Sequence, residues 1–114
     1  MNINGVELEF NLYDVDNTGM RERYFEELRK MRTINQEVSE KPKQEQGCYL
    51  CKRIKGMFDY VFGTGTGEAV CGAKDNLLEC MAAYEQLLND QILQDERYKR
   101  ILQKIKRKNP GKRR

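Results

Sequence analysis

The feature that most constrains this chain is its last amphipathic segment. Leu77, Met81, Tyr84, Leu88 and Ile92 recur at spacings of three and four, and Tyr98, Ile101 and Ile105 continue the stripe more loosely. Asp75 is placed to cap such a helix, and Asn109-Pro110-Gly111 to stop it. Continuous to Lys108, it would hold about 33 residues and run roughly 50 Å at 1.5 Å per residue. A chain of 114 residues fits one small domain and cannot cover a helix of that length. Its far end must project or find a partner.

The material for a core is thin. Leu, Ile, Val and Phe together number 25 residues, there is no Trp, and 34% of the chain is charged. Charge is also unevenly placed. Residues 1–96 carry 11 Lys or Arg against 18 Asp or Glu, a balance of −7, whereas residues 97–114 carry 10 basic residues and no acidic one. The expected organisation is therefore a single globular domain over 1–96 and a basic helix end and tail over 97–114. Such a tail attracts polyanions, but an acidic body competes for it.

At the N-terminus, Val6, Leu8, Phe10 and Leu12 alternate with polar residues, the period of a half-buried strand whose edge is open to pairing with another copy. Asn4-Gly5 before it is the preferred pair for a type I′ turn, which makes a stub hairpin. Asp14 to Thr18 supplies capping residues for a first helix from about Thr18 to about Ser39, with Met20, Tyr24, Leu28, Met31, Ile34 and Val38 on its apolar side. Lys41-Pro42-Lys43 ends it. A second helix follows Gly47, carries Leu50, Cys51, Ile54, Met57, Phe58, Val61 and Phe62, and stops at the Gly63, Gly65, Gly67 run. Glu68 to Cys71 forms a further single turn closed by Gly72. The expected fold class is α+β, predominantly α: a short N-terminal β-hairpin and three main helices, the last long and projecting. The expected core is Val6, Leu8, Phe10, Leu12, Tyr24, Leu28, Ile54, Phe58, Phe62, Leu77, Met81, Tyr84 and Leu88.

Motifs with chemistry are weak. Asp14, Asp16, Thr18 and Gly19 match the opening of a calcium loop, but its twelfth position is Phe25 rather than Glu. Cys48 and Cys51 have the spacing of half a zinc site, while Cys71 and Cys80 are nine apart and the chain has no His. Four reduced packing thiols are the expectation. The glycine run follows a helix rather than a strand and precedes no Lys-Ser or Lys-Thr, so it reads as a connector. No base stands ready for a nucleophile, and neither enzymatic activity nor a cofactor is expected. The longest uncharged run, Tyr60 to Gly67, is far short of a membrane span, and no export signal opens the chain; the cytoplasm is the expected location.

The run Ile3-Asn4-Gly5-Val6-Glu7-Leu8-Glu9-Phe10-Asn11-Leu12-Tyr13-Asp14, a charged helix, Phe58-Asp59-Tyr60-Val61-Phe62-Gly63-Thr64-Gly65-Thr66 and Asn76-Leu77-Leu78-Glu79-Cys80 resemble the tail assembly chaperones of siphophages and prophages of Gram-positive bacteria. The resemblance runs from Ile3 to about Leu88. It implies a non-structural protein that coats the tape measure protein, keeps it soluble and helps recruit tail tube subunits. It also implies self-association and, in such families, a longer form made by ribosomal frameshifting. Candidate partner-binding residues are Leu88, Ile92, Tyr98, Ile101 and Ile105, with Arg97, Arg100, Lys104 and Arg107 beside them. The alternative is a small nucleic-acid-binding protein that uses its basic tail, although Tyr98 is the tail's one aromatic residue.

Overall fold

The computed structural model describes residues 1–108, so the expected stop at Asn109-Pro110-Gly111 lies outside the described residues. A two-stranded antiparallel hairpin, β1 (Asn2–Ile3) and β2 (Val6–Glu7), precedes five helices. These are α1 (Thr18–Lys30), α2 (Ile34–Ser39), α3 (Gln46–Phe62), α4 (Thr66–Cys71) and α5 (Leu77–Lys108). The α+β, mainly α architecture expected from the sequence is the one found, with the long helix last. The molecule measures 63 × 29 × 22 Å, and its long dimension belongs to α5 with its 32 residues.

Asn4 and Gly5 have φ of 49° and 89°, the two positive values that a type I′ turn requires. The ladder beyond the turn is shorter than the alternation implied. Only Val6–Glu7 pairs, and residues 8–17 form no strand. Burial still alternates there: Phe10 and Leu12 are buried, Leu8 is half-buried and the residues between are exposed. The period of two records which side chains the arm turns inward. The arm's backbone partners come from several places: Leu8 exchanges bonds with Met1, Gln94 of α5 bonds the Phe10 carbonyl and the Leu12 N–H, and Arg21 of α1 donates to the Leu12 carbonyl.

The first helical stretch begins and ends as expected but is broken by a 3₁₀ turn at Met31–Thr33. Thr33 is the cause: its hydroxyl donates to the Glu37 carboxylate at 2.7 Å and lies 3.4 Å from the Lys30 carbonyl, local bonds that compete with a continuous helix. Capping differs too. Asn17 makes no side-chain cap bond, and Asp14 closes an Asx turn by accepting from the Asp16 N–H. At α5 the cap is Asn76, whose Oδ1 accepts from the Glu79 N–H at 3.1 Å, whereas Asp75 is engaged by Lys55 and Cys48. The glycine run is a tight link. Gly63 and Gly65 have positive φ, and the Asp59 carboxylate accepts from the N–H groups of Gly65 and Gly67, filling the place that an anion would take.

The largest departure concerns the rotation of α5. Leu77 and Met81, expected in the core, are 37% and 47% exposed; Tyr84 and Leu88 are half-buried. Cys80, Ala83 and Leu87 face inward instead, fully buried against α3, where Cys51, Ile54 and Phe58 are buried. Small facing side chains such as cysteine and alanine pack between two helices with less displacement than a stripe of large residues. Val6, Leu8, Leu28 and Phe62 are likewise half-buried at the core's margin, while Ile3, Met20, Met31, Met57, Val61 and Val70 join it. Cys51, Cys71 and Cys80 are buried and reduced, but Cys48 is exposed and bonds Asp75. Burial, with the neighbouring Cys80 thiol, pushes the Cys51 thiol up to about 12, which keeps it protonated.

Two substitutions test this packing. Phe58, completely buried and stacked near Phe62, should cost about 3 to 5 kcal/mol when changed to Ala, read as a lowered urea midpoint. At Gly67 a Cβ would stand 2.3 Å from the Lys55 carbonyl oxygen, so Gly67→Ala must push α4 away from α3 and should cost about 1 to 3 kcal/mol.

Candidate functional site

Rotating α5 by a fraction of a turn turns its large apolar residues outward, where they form the wall of a groove. Leu78, Met81, Tyr84, Leu88 and Ile92 supply that wall; Leu50 and Ile54 of α3 form the floor; Met31 and Ile34 form the opposite side. The groove encloses about 700 Å³. From Leu78 to Ile92 it runs roughly 21 Å along α5, the length of about four helical turns. Its polar lining is sparse, with Asn35, Asn89 and the carboxylate of Glu85.

A second hollow of about 400 Å³ lies where the N-terminal arm meets α5, lined by Phe10, Asn11, Tyr13, Gln94, Arg97, Tyr98 and Ile101. Two glutamines of α5, Gln86 and Gln94, hold the N-terminal segment, and Gln91 between them holds α1. Gln86 exchanges bonds with Asn4, accepting from its N–H at 2.9 Å and donating to its Oδ1 at 2.7 Å. Gln91 accepts from the Tyr24 hydroxyl at 2.6 Å. Gln94 accepts from the Leu12 N–H at 2.8 Å and donates to the Phe10 carbonyl at 2.6 Å, a pair of bonds of the kind a neighbouring strand makes. Tyr13 stacks on Tyr98 at 4.8 Å and donates its hydroxyl to Asp95, while the Arg21 guanidinium lies over the Tyr13 ring.

Beyond Asp95 every described residue of α5 except Leu102 is exposed. This overhang of about 20 Å carries Arg97, Arg100, Lys104 and Arg107 with Tyr98, Ile101 and Ile105. The nine residues expected to bind a partner are thus divided. Leu88 and Ile92 lie in the groove; Arg97, Tyr98 and Ile101 line the hollow; Arg100, Lys104, Ile105 and Arg107 lie further along the overhang. Missing from that set were Leu78, Met81, Ile34 and Leu50, because a single apolar stripe on α5 was assigned to the core. The signal is present: residues 80, 83, 87, 91 and 94 form a second series at helical spacing, made of small and amide side chains around Leu87.

Among the described residues no three His, Cys, Asp or Glu side chains are grouped so as to hold a metal ion, and no helix is long and apolar enough to cross a membrane. Compared with known families, residues 4–114 match the model of a family of unknown function, DUF6673. The chain belongs to that family. No curated protein and no solved structure matches it. The DUF6673 match starts at the hairpin turn and spans the residues of the arm, the groove and the overhang.

The Tyr13–Asp95 bond gives the arm a pH signature. The Tyr13 hydroxyl holds the Asp95 carboxyl below the usual carboxylate range, and Asp95 raises the Tyr13 phenol. The lowered carboxyl contributes stability above its unfolded value near pH 4, lost as pH falls through the folded one; the raised phenol contributes below about pH 10, lost as pH rises. Tyr13→Phe should therefore be less stable than the parent by about 1 kcal/mol or less at neutral pH, and the gap in melting temperature should close at both extremes.

Proposed function

We propose that the protein is a phage tail assembly chaperone that acts by binding, taking helical segments of the tape measure protein into the groove between α5, α3 and the Met31–Ile34 wall. The observation that carries this reading is the groove itself. It is open, apolar and about four helical turns long, the form in which one amphipathic helix lays its face on another protein. The resemblance of Ile3 to about Leu88 to tail assembly chaperones supplies the partner. Covering the apolar faces of a long helical protein would keep it soluble in the host cytoplasm, and the basic overhang would remain outside to help recruit tail tube subunits.

The alternative, nucleic-acid binding through the tail, draws on the seven basic and no acidic residues from Arg97 to Lys108. Tyr98 weighs against it, since its ring is stacked on Tyr13 rather than offered to a base.

Co-expression with a tape measure protein from the same genome should yield a soluble complex. Met81→Asp places a carboxylate on a half-exposed wall residue, and should leave the fold intact while weakening that complex about a hundredfold, near 3 kcal/mol. A tape measure protein that stays insoluble, beside a chaperone that shifts duplex DNA or RNA at physiological salt, would transfer the function to the alternative.

A further inference from the structure

The wall that α5 gives to the groove has a finer order than its apolar character. Leu78, Met81, Glu85, Leu88 and Ile92 follow one another at steps of three, four, three and four, the a-d-a-d-a series of two successive heptads. A helix that presents such a series offers the seam of a coiled coil, and a second helix packs on it by setting its own large residues between those of the wall. Four of the five positions are large and apolar. The central a position is Glu85. The register stops with the groove, since its next positions outward are Lys74, ahead of α5, and Asp95.

Among the described residues that line the groove, Glu85 carries the one charge, and it is exposed. No ion pair among the described residues engages it, and its neighbours one turn away on α5 are Met81, Ala82, Leu88 and Asn89, none of them a cation. Asn35 and Asn89 add only neutral amides to the lining. Open to solvent, the carboxylate keeps its hydration; a helix laid along the wall would cover it. Covering an unpaired carboxylate is costly, whereas a Lys or Arg set against it makes a charge-assisted hydrogen bond in surroundings drier than water. We propose that Glu85 sets which helix the groove accepts and in which register: an amphipathic helix of heptad pattern with one Lys or Arg at the core position that meets Glu85, in preference to a helix apolar throughout that seam. A single polar residue at an a position fixes the alignment of paired helices for this reason, because every other alignment leaves it unmatched. The inference rests on the groove being the helix receptor proposed above, and adds to it the chemistry of the helix received.

Overlapping peptides of about 21 residues, three heptads, covering a tape measure protein from the same genome serve as the probe. The full chain and its Glu85→Gln and Glu85→Lys variants are titrated against them; because Glu85 is exposed, all three should show the same helicity by circular dichroism. Peptides bound by the parent should share apolar residues at heptad spacing and a Lys or Arg at a central core position. Replacing that cation by Glu in the tightest peptide should weaken binding to the parent about a hundredfold, and Glu85→Lys should restore most of it. Glu85→Gln should lose the preference for the original peptide over one with Leu in that place. Bound peptides that lack such a cation, or a Glu85→Lys variant that keeps the parent's peptides at unchanged affinity, overturn the inference and leave the groove a helix receptor. Binding that survives Met81→Asp puts the helix elsewhere on the protein and overturns the inference together with the groove. A set in which parent and variants bind no peptide overturns both and removes the tape measure protein as the partner.

Discussion

Everything distinctive in this molecule follows from the seam between α3 and α5. Cys80, Ala83 and Leu87 are completely buried, as are Cys51, Ile54 and Phe58 across from them. Burying this set of side chains together fixes the angular position of a 32-residue helix. Once the seam is set, the large residues of α5 have no place at the centre. They turn to the flank and make a groove with Leu50, Ile54 and the Met31–Ile34 corner. The same angular setting sends the inward face straight past the end of the body, where Tyr98 and Ile101 stand exposed. Groove and overhang are two consequences of one packing choice.

A core this thin is completed by polar means. The N-terminal arm contributes Ile3, Phe10 and Leu12 to the interior, and the edge-to-face contacts of Phe10 with Tyr24 and Phe62 tie it to α1 and α3. Its backbone would be left without partners if apolar contact were its only attachment, because most of it belongs to no sheet. Gln86 and Gln94 take that role from the surface of α5, and Gln91 satisfies the buried hydroxyl of Tyr24. Among the described residues no buried side-chain nitrogen or oxygen lacks a partner. A small domain that cannot add apolar volume thus reaches completeness by leaving few polar groups unmatched.

How much of this the sequence disclosed depends on the kind of signal. Local backbone chemistry was legible: Asn4-Gly5 declared its turn, Gly63 and Gly72 closed their helices, and the long final helix was plain from its periodicity. Pairing was not, because an extended arm clasped by glutamines and a true strand share the same alternation of side chains. The direction of α5 was misread for a related reason. Size is a poor guide to depth at a close helix contact, where Ala83 is buried and Met81 is half-exposed. Of the residues that line the groove, Leu88 and Ile92 stand out in the sequence because they are large; the opposite wall, from Met31 and Ile34, is hidden there because it comes from another part of the chain.

Three tyrosine–carboxylate pairs fasten separate segments of this highly charged surface: Tyr13 to Asp95, Tyr49 to Glu37 and Tyr60 to Glu26. In each, one member is neutral, so the attraction is short-ranged and counter-ions do little to weaken it. Attraction between a cationic helix end and an anionic body is of the opposite kind and fades within a Debye length of about 8 Å at physiological ionic strength. The fold and its associations therefore answer to different variables. Added salt would weaken any contact that the cationic helix end makes with an anionic surface, while the fastenings within the molecule persist.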